Sequence, residues 1–122
     1  MNKPKPDPER FLPLTPAMFH ILLALADRER HGYHIMQEVD ERTEGKVRLG
    51  PGTLYGSIKR MLSNGMIEET DERPDPELDD ERRRYYRLTD FGYRVARAEA
   101  ERLVRLVKTA RSKKLFSKAW DK

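Results

Sequence analysis

The stretch Pro51–Ser63 carries the side chains best suited to doing chemistry. Gly52, Thr53, Gly56, Ser57, Lys59, Arg60 and Ser63 share one face of a helical projection, with Tyr55 at its edge. Leu54, Ile58, Met61 and Leu62, at i, i+4, i+7 and i+8, make the opposite, apolar face. The hydroxyls can hydrogen-bond, the glycines leave room for close approach, and the two cations attract a polyanion. Catalysis has poorer material. The chain has no cysteine, so there is no disulfide framework, thiolate metal site or cysteine nucleophile. Its carboxylates stand in runs rather than as a paired, buried set, and no Gly-rich phosphate loop is present. His31 and His34 have a spacing compatible with metal ligation. With His20 the only other histidine, a closed site would need carboxylates such as Glu38, and a satisfied polar pair is the competing reading. The sequence therefore predicts no enzyme, no cofactor and no bound metal.

Charge is unevenly placed. The 122 residues hold 25 Lys+Arg against 21 Asp+Glu, for a net charge of +4. Residues 71–84 hold seven acidic and four basic side chains, whereas residues 94–122 hold ten basic and three acidic ones. Such a balance suits nucleic acid or a membrane surface, or simply a solvated helix face. With 37% hydrophobic and 38% charged residues, the core must be small or completed by a partner chain. No apolar run approaches the ~20 residues of a membrane span, and the opening residues lack the apolar stretch of a secretory signal. The expectation is a cytoplasmic homodimer.

The elements that must position the Pro51–Ser63 face follow from caps and periodicity. Residues 1–13, with four of the eight prolines, read as a flexible arm. Thr15-Pro16 starts a helix running to about Ala26. Met18, Ile21, Leu22 and Leu25 form one apolar face of it, and Phe19, Leu23 and Ala26 a second. Tyr33–Arg42 is a second helix, with Ile35, Met36 and Val39 inward. Pro51 opens the third, and Asn64-Gly65 closes it. Met66–Thr70 and Arg84–Leu88 read as a two-stranded ribbon joined by a long polar loop; alternation places Tyr86 and Leu88 on one face, Tyr85 and Arg87 on the other. Thr89-Asp90 caps a fourth helix reaching about Ser112. Its stripe of Val95, Ala96, Leu103, Leu106, Val107 and Ala110 is longer than three short helices and a ribbon can cover, so its outer half calls for another molecule.

Helix, helix, helix, strand, loop, strand, helix is the order of a winged helix-turn-helix. The fold class is mainly α with a two-stranded β wing. The third helix would be the recognition helix and residues 71–83 the wing loop. The major groove, about 12 Å wide, admits one helix, and Thr53, Gly56 and Ser57 are small enough to let the backbone approach. The expected organisation is an arm (1–13), a winged helix-turn-helix domain (14–88), a dimerisation helix (89–114) and a tail (115–122).

Four blocks carry a family resemblance. His31-Gly32-Tyr33, Gly52-Thr53-Leu54-Tyr55, Gly65-Met66-Ile67 and Arg84-Tyr85-Tyr86-Arg87-Leu88-Thr89-Asp90-Phe91-Gly92 resemble, in order and spacing, the conserved blocks of PadR-type transcriptional regulators. The resemblance covers about residues 14–112 and is to the short branch, with one C-terminal dimerisation helix. It implies a homodimeric DNA-binding protein, usually a repressor released from its operator by a small effector. It implies that Tyr33 and Tyr55 donate to phosphates, although packing stays open for Tyr33. It implies further that Thr53, Ser57 and Lys59 face the major groove, that Arg60 reaches the backbone, and that Arg82, Arg83 and Arg84 flank the minor groove. Thr89 and Gly92 read as a cap and a tight helix-to-strand approach. Phe19, Leu23, Leu103, Leu106, Val107 and Ala110 are the expected dimer contacts. The acidic tip, residues 74–80, is unsuited to DNA: either the wing's basic base alone makes contact, or the tip folds away. Trp120 is either a ligand-stacking aromatic or a tail anchor on the partner. A winged-helix protein-interaction module without DNA is the competing function.

Overall fold

The computed structural model describes residues 6–70 and 84–116. Arg82, Arg83, the acidic wing tip and Trp120 lie outside the described residues. Helix α1 (Pro16–Leu25) begins where the Thr15 hydroxyl accepts the Met18 N–H at 3.1 Å, with proline at the first helical position. It runs through the centre of the molecule: Met18, Ile21, Leu22, Ala24 and Leu25 are all buried. Helix α2 (Gly32–Arg42) presents Ile35 and Val39 to it, and helix α3 (Pro51–Ser63) presents Leu54, Ile58 and Met61. Each fully buried Leu or Ile of this kind contributes roughly 1.5–3 kcal/mol, so the short helices are held by packing more than by propensity.

Helix α3 ends at Asn64, and Gly65 at φ 75° turns the chain into strand β2 (Ile67–Thr70). Strand β3 (Tyr85–Leu88) pairs antiparallel with it, from Ile67 opposite Leu88 to Thr70 opposite Tyr85. A short strand β1 (Arg30–His31) lies along the other edge of β3, giving the order β1-β3-β2. The wing ribbon is thus as expected, with one further strand drawn from the polar break between α1 and α2. That addition makes β3 central, and both Tyr85 and Tyr86 are buried rather than alternating in and out. Tyr86 joins the core, while Tyr85 lies edge-on to His31 with ring centroids 5.3 Å apart.

Helix α4 (Asp90–Ser112) is bolted to the turn that ends α3. The Thr89 hydroxyl accepts the Gly92 N–H at 2.9 Å and donates to the Gly65 carbonyl at 2.6 Å. The Thr89 N–H donates to the Met66 carbonyl at 3.1 Å. A Cβ on Gly92 would stand 2.0 Å from that same carbonyl oxygen, so only glycine permits the approach. The cap and the close approach read from the sequence are both here.

The flexible arm expected over residues 1–13 needs correction in its described part, residues 6–13. Pro8–Phe11 forms a single 3-10 turn, with Asp7 accepting the Glu9 N–H at 3.0 Å, and this turn packs on α4. Phe11 meets Phe91 edge-to-face at 5.6 Å, and Leu12 also lies against the core. Proline content argued for flexibility, but two apolar residues with a surface to cover suffice to order the segment.

Candidate nucleic-acid interface

The outward face of α3 is open. Thr53, Tyr55, Gly56, Lys59 and Arg60 are exposed, and Ser57 is half-buried. Apart from the neighbouring backbone of α3 itself, no heavy atom lies within 4 Å of where a Cβ on Gly52 or Gly56 would stand. The exposed face therefore combines hydroxyls, bare backbone and two cations, as its sequence suggested.

Beside α3 is a cleft of about 590 Å³ lined by His31, Gly32, Tyr33, Tyr55, Glu69, Arg84 and Tyr86. Three elements build it: the start of α2, the first half of α3 and the base of the wing. His31 is the N-cap of α2, its Nδ1 accepting the His34 N–H at 3.2 Å while the two imidazoles stack at 3.8 Å. That bond places the ring proton on Nε2 when the imidazole is neutral. Gly32 follows, and the Tyr55 ring crosses directly over it: a Cβ there would stand 2.8 Å from the Tyr55 hydroxyl oxygen. Tyr33 and Tyr55 are 50% and 51% exposed, so both can present a phenol to a ligand in the cleft. The positive end of the α2 dipole faces the same opening.

The wing closes the cleft. Arg84 stands at the start of β3, exposed, with Nη1 2.9 Å from Glu69 Oε1. The Glu69 hydrogen bond and charge push the Arg84 pKa further up. Burial, with Glu69 and Tyr55 nearby, raises the Tyr86 phenol; Arg84 only partly offsets this, so the group stays protonated and able to donate. On the other ribbon face Arg87 Nε bonds Glu68 at 2.9 Å, and Glu29 lies 3.9 Å from the same guanidinium.

The fold therefore gathers Tyr33, Tyr55 and Arg84 into one cleft, while Thr53, Lys59 and Arg60 are exposed elsewhere on α3. Sequence reasoning missed His31, Gly32, Glu69 and Tyr86 as members. Pairing the strands would have found two of them, since Glu69 stands opposite Tyr86 and Arg84 is two residues away on the same face.

The second surface lies along the outer half of α4. Val104, Leu106 and Val107 are exposed, as is Leu23 of α1, while Leu103 and Ala110 are half-buried. Val104 was absent from the sequence-based set, and Phe19 is partly covered by the core of its own chain. No described helix is long and apolar enough to cross a membrane.

The profile of the transcriptional regulator PadR-like family matches residues 21–98, a span that includes α2, α3, both wing strands and the fastening of α4. The chain belongs to the PadR-like family of transcriptional regulators. A transcriptional regulator of Mycobacterium tuberculosis is 36% identical over 83 residues, covering 68% of this chain and 70% of that one. A 37.1 kDa transposon protein of Streptomyces fradiae is 34% identical over 90 residues, covering 74% of this chain; the chain spans only 24% of its length. A crystal structure of a PadR family transcription regulator from Clostridium difficile superimposes with a TM-score of 0.67 at 26% identity, covering 80% of this chain and 97% of that one. PadR-like regulators are winged-helix DNA-binding transcription factors.

Proposed function

We propose that this PadR-like regulator binds an operator duplex as a homodimer, with α3 in the major groove, the base of the wing at the minor groove, and repression relieved by a small effector. One observation carries the reading. Tyr33, Tyr55 and Arg84 share a cleft beside α3, and Thr53, Lys59 and Arg60 are exposed on that same helix. Phosphate contacts from the tyrosines, the arginines and Lys59 would set position, and Thr53 and Ser57 would meet base edges in the major groove. Arg82 and Arg83 are assigned to the minor groove on the family resemblance alone. So is the effector, for which Trp120 is the candidate contact. The exposed apolar residues of α4, with Leu23, support association through that helix. A two-fold dimer would set its recognition helices roughly 34 Å apart and select an inverted repeat.

The test is to sequence the genomic fragments that the protein retains, then to measure affinity for the recovered site across a salt series. Counterion release predicts a steep linear fall of log K with log salt, and Lys59→Ala should flatten the slope by about 0.9 for one lost phosphate contact. Salt-insensitive retention, or no preference for duplex over a neutral polymer, would sink the reading and leave a protein-interaction module. A footprint without two-fold symmetry would count against the dimer geometry.

A further inference from the structure

Glu69 is out of place in a cleft that faces a polyanion. It projects from β2 on the ribbon face shared with Tyr86 and Arg84, and its Oε1 takes the Arg84 guanidinium at 2.9 Å. Both side chains remain well exposed, at 45% for Glu69 and 68% for Arg84, so the pair holds loosely and neither partner is a core element. The strand pairing fixes their proximity, because residues 84 and 86 lie on one face and Glu69 stands opposite Tyr86.

We propose that Glu69 is an affinity-limiting residue: a competitor for phosphate built into the cleft, which the duplex must displace before Arg84 can engage it. The inference rests on the operator-binding reading above and assigns its regulation to a residue of the same site. Two consequences follow. Because the Glu69 carboxylate stays beside Arg84, the pair brings little net charge to the phosphate, displaces few of the cations condensed on the duplex and adds little to the salt dependence. The displaced carboxylate also stays near the phosphate and repels it, which weakens every complex. At a given protein concentration this empties weak, non-specific sites first, while a strong operator remains filled.

Glu69→Gln keeps the size and removes the charge. At low salt it should raise duplex affinity about three- to tenfold and steepen the salt slope by about 0.9, the value of one newly counted phosphate contact. The slope gain should vanish in Glu69→Gln/Arg84→Ala. Glu68→Gln, which removes the carboxylate 2.9 Å from Arg87 on the opposite ribbon face, should leave the slope unchanged. A second measurement does not depend on altering Glu69: Arg84→Ala alone should change the slope far less than Lys59→Ala does. If the wild type binds duplex yet Glu69→Gln alters neither affinity nor slope, or the gain persists without Arg84, the proposal fails and operator binding stands. If the wild type binds no duplex, both fall.

Discussion

Glu99 and Leu14 meet across 85 residues of sequence: the Glu99 carboxylate accepts the Leu14 backbone N–H at 2.7 Å. Glu99 is only 2% exposed, and its other oxygen takes the Arg102 guanidinium one turn further along α4. The bond fixes the residue just before the α1 N-cap to the middle of α4. It is the polar counterpart of the Phe11–Phe91 contact nearby.

Loss of this bond should weaken the fold. Glu99→Ala orphans a buried N–H, a defect worth about 1–3 kcal/mol, while Glu99→Gln can still accept from Leu14 and should lose less. Burial alone would raise the Glu99 pKa, but the hydrogen bonds from Arg102 and Leu14 and the Arg102 charge outweigh it and bring the pKa below the ordinary carboxylate value. A group depressed in this way stabilises the fold above its unfolded pKa, and that contribution disappears as pH falls through the folded value. Denaturant midpoints should therefore fall toward acid in the wild type, with a weaker dependence in Glu99→Gln. Identical profiles for the two would contradict the assignment.

Two glycine substitutions should act in opposite directions. Gly92→Ala drives a Cβ into the Met66 carbonyl and should destabilise by about 3 kcal/mol or abolish folding. Gly56→Ala meets open space on α3 and should stabilise by roughly 0.5–1 kcal/mol through helix propensity. Thermal or urea unfolding of the two variants checks both signs. If the α3 face lies on DNA, Gly56→Ala should also lose duplex affinity despite its extra stability.

Gly32→Ala separates folding from binding. The new methyl meets the far end of the Tyr55 side chain, which can swing aside, and no backbone atom is among the three nearest contacts. The unfolding midpoint should shift by less than about 1 kcal/mol, yet duplex affinity should drop toward that of Tyr55→Phe. A variant that binds as the wild type does would remove Tyr55 from the interface.

Leu106→Asp tests the other surface. Leu106 is 54% exposed in the single chain, so a charge there has no core to disrupt. Sedimentation should show the variant at monomer mass with its secondary structure retained, and operator affinity should collapse. Unchanged mass would place the subunit contact elsewhere.

The helices were legible because their caps are local. Thr15 and Thr89 each accept an N–H of the first turn, as their position before a proline and an aspartate suggests. Strand β1 was not legible, since two residues have no period and Arg30–His31 becomes a strand only because an edge of β3 lies beside it. Burial of Tyr85 follows from the same event. Glu99 did leave a signal: it falls three and four residues after Ala96 and Val95, on the inward stripe of α4, where a carboxylate needs a partner. What the sequence could not convey was which backbone amide would supply it. The two faces of the wing ribbon were separable in sequence, but the placing of Glu69 opposite Tyr86 and on the face of Arg84 required the strand register.

The fastening of Thr89 and Gly92 to the Gly65–Met66 turn makes α3 and α4 a single rigid arm. With 23 residues, α4 is about 34 Å long, and in the homodimer proposed above, joined at its outer half, it would work as a lever. A tilt of about 5° at the seam, within the range of known subunit rotations, would carry each reading helix sideways by roughly 2–3 Å. Any molecule that wedges between the two levers could thus throw the reading helices out of step with the duplex without touching either of them.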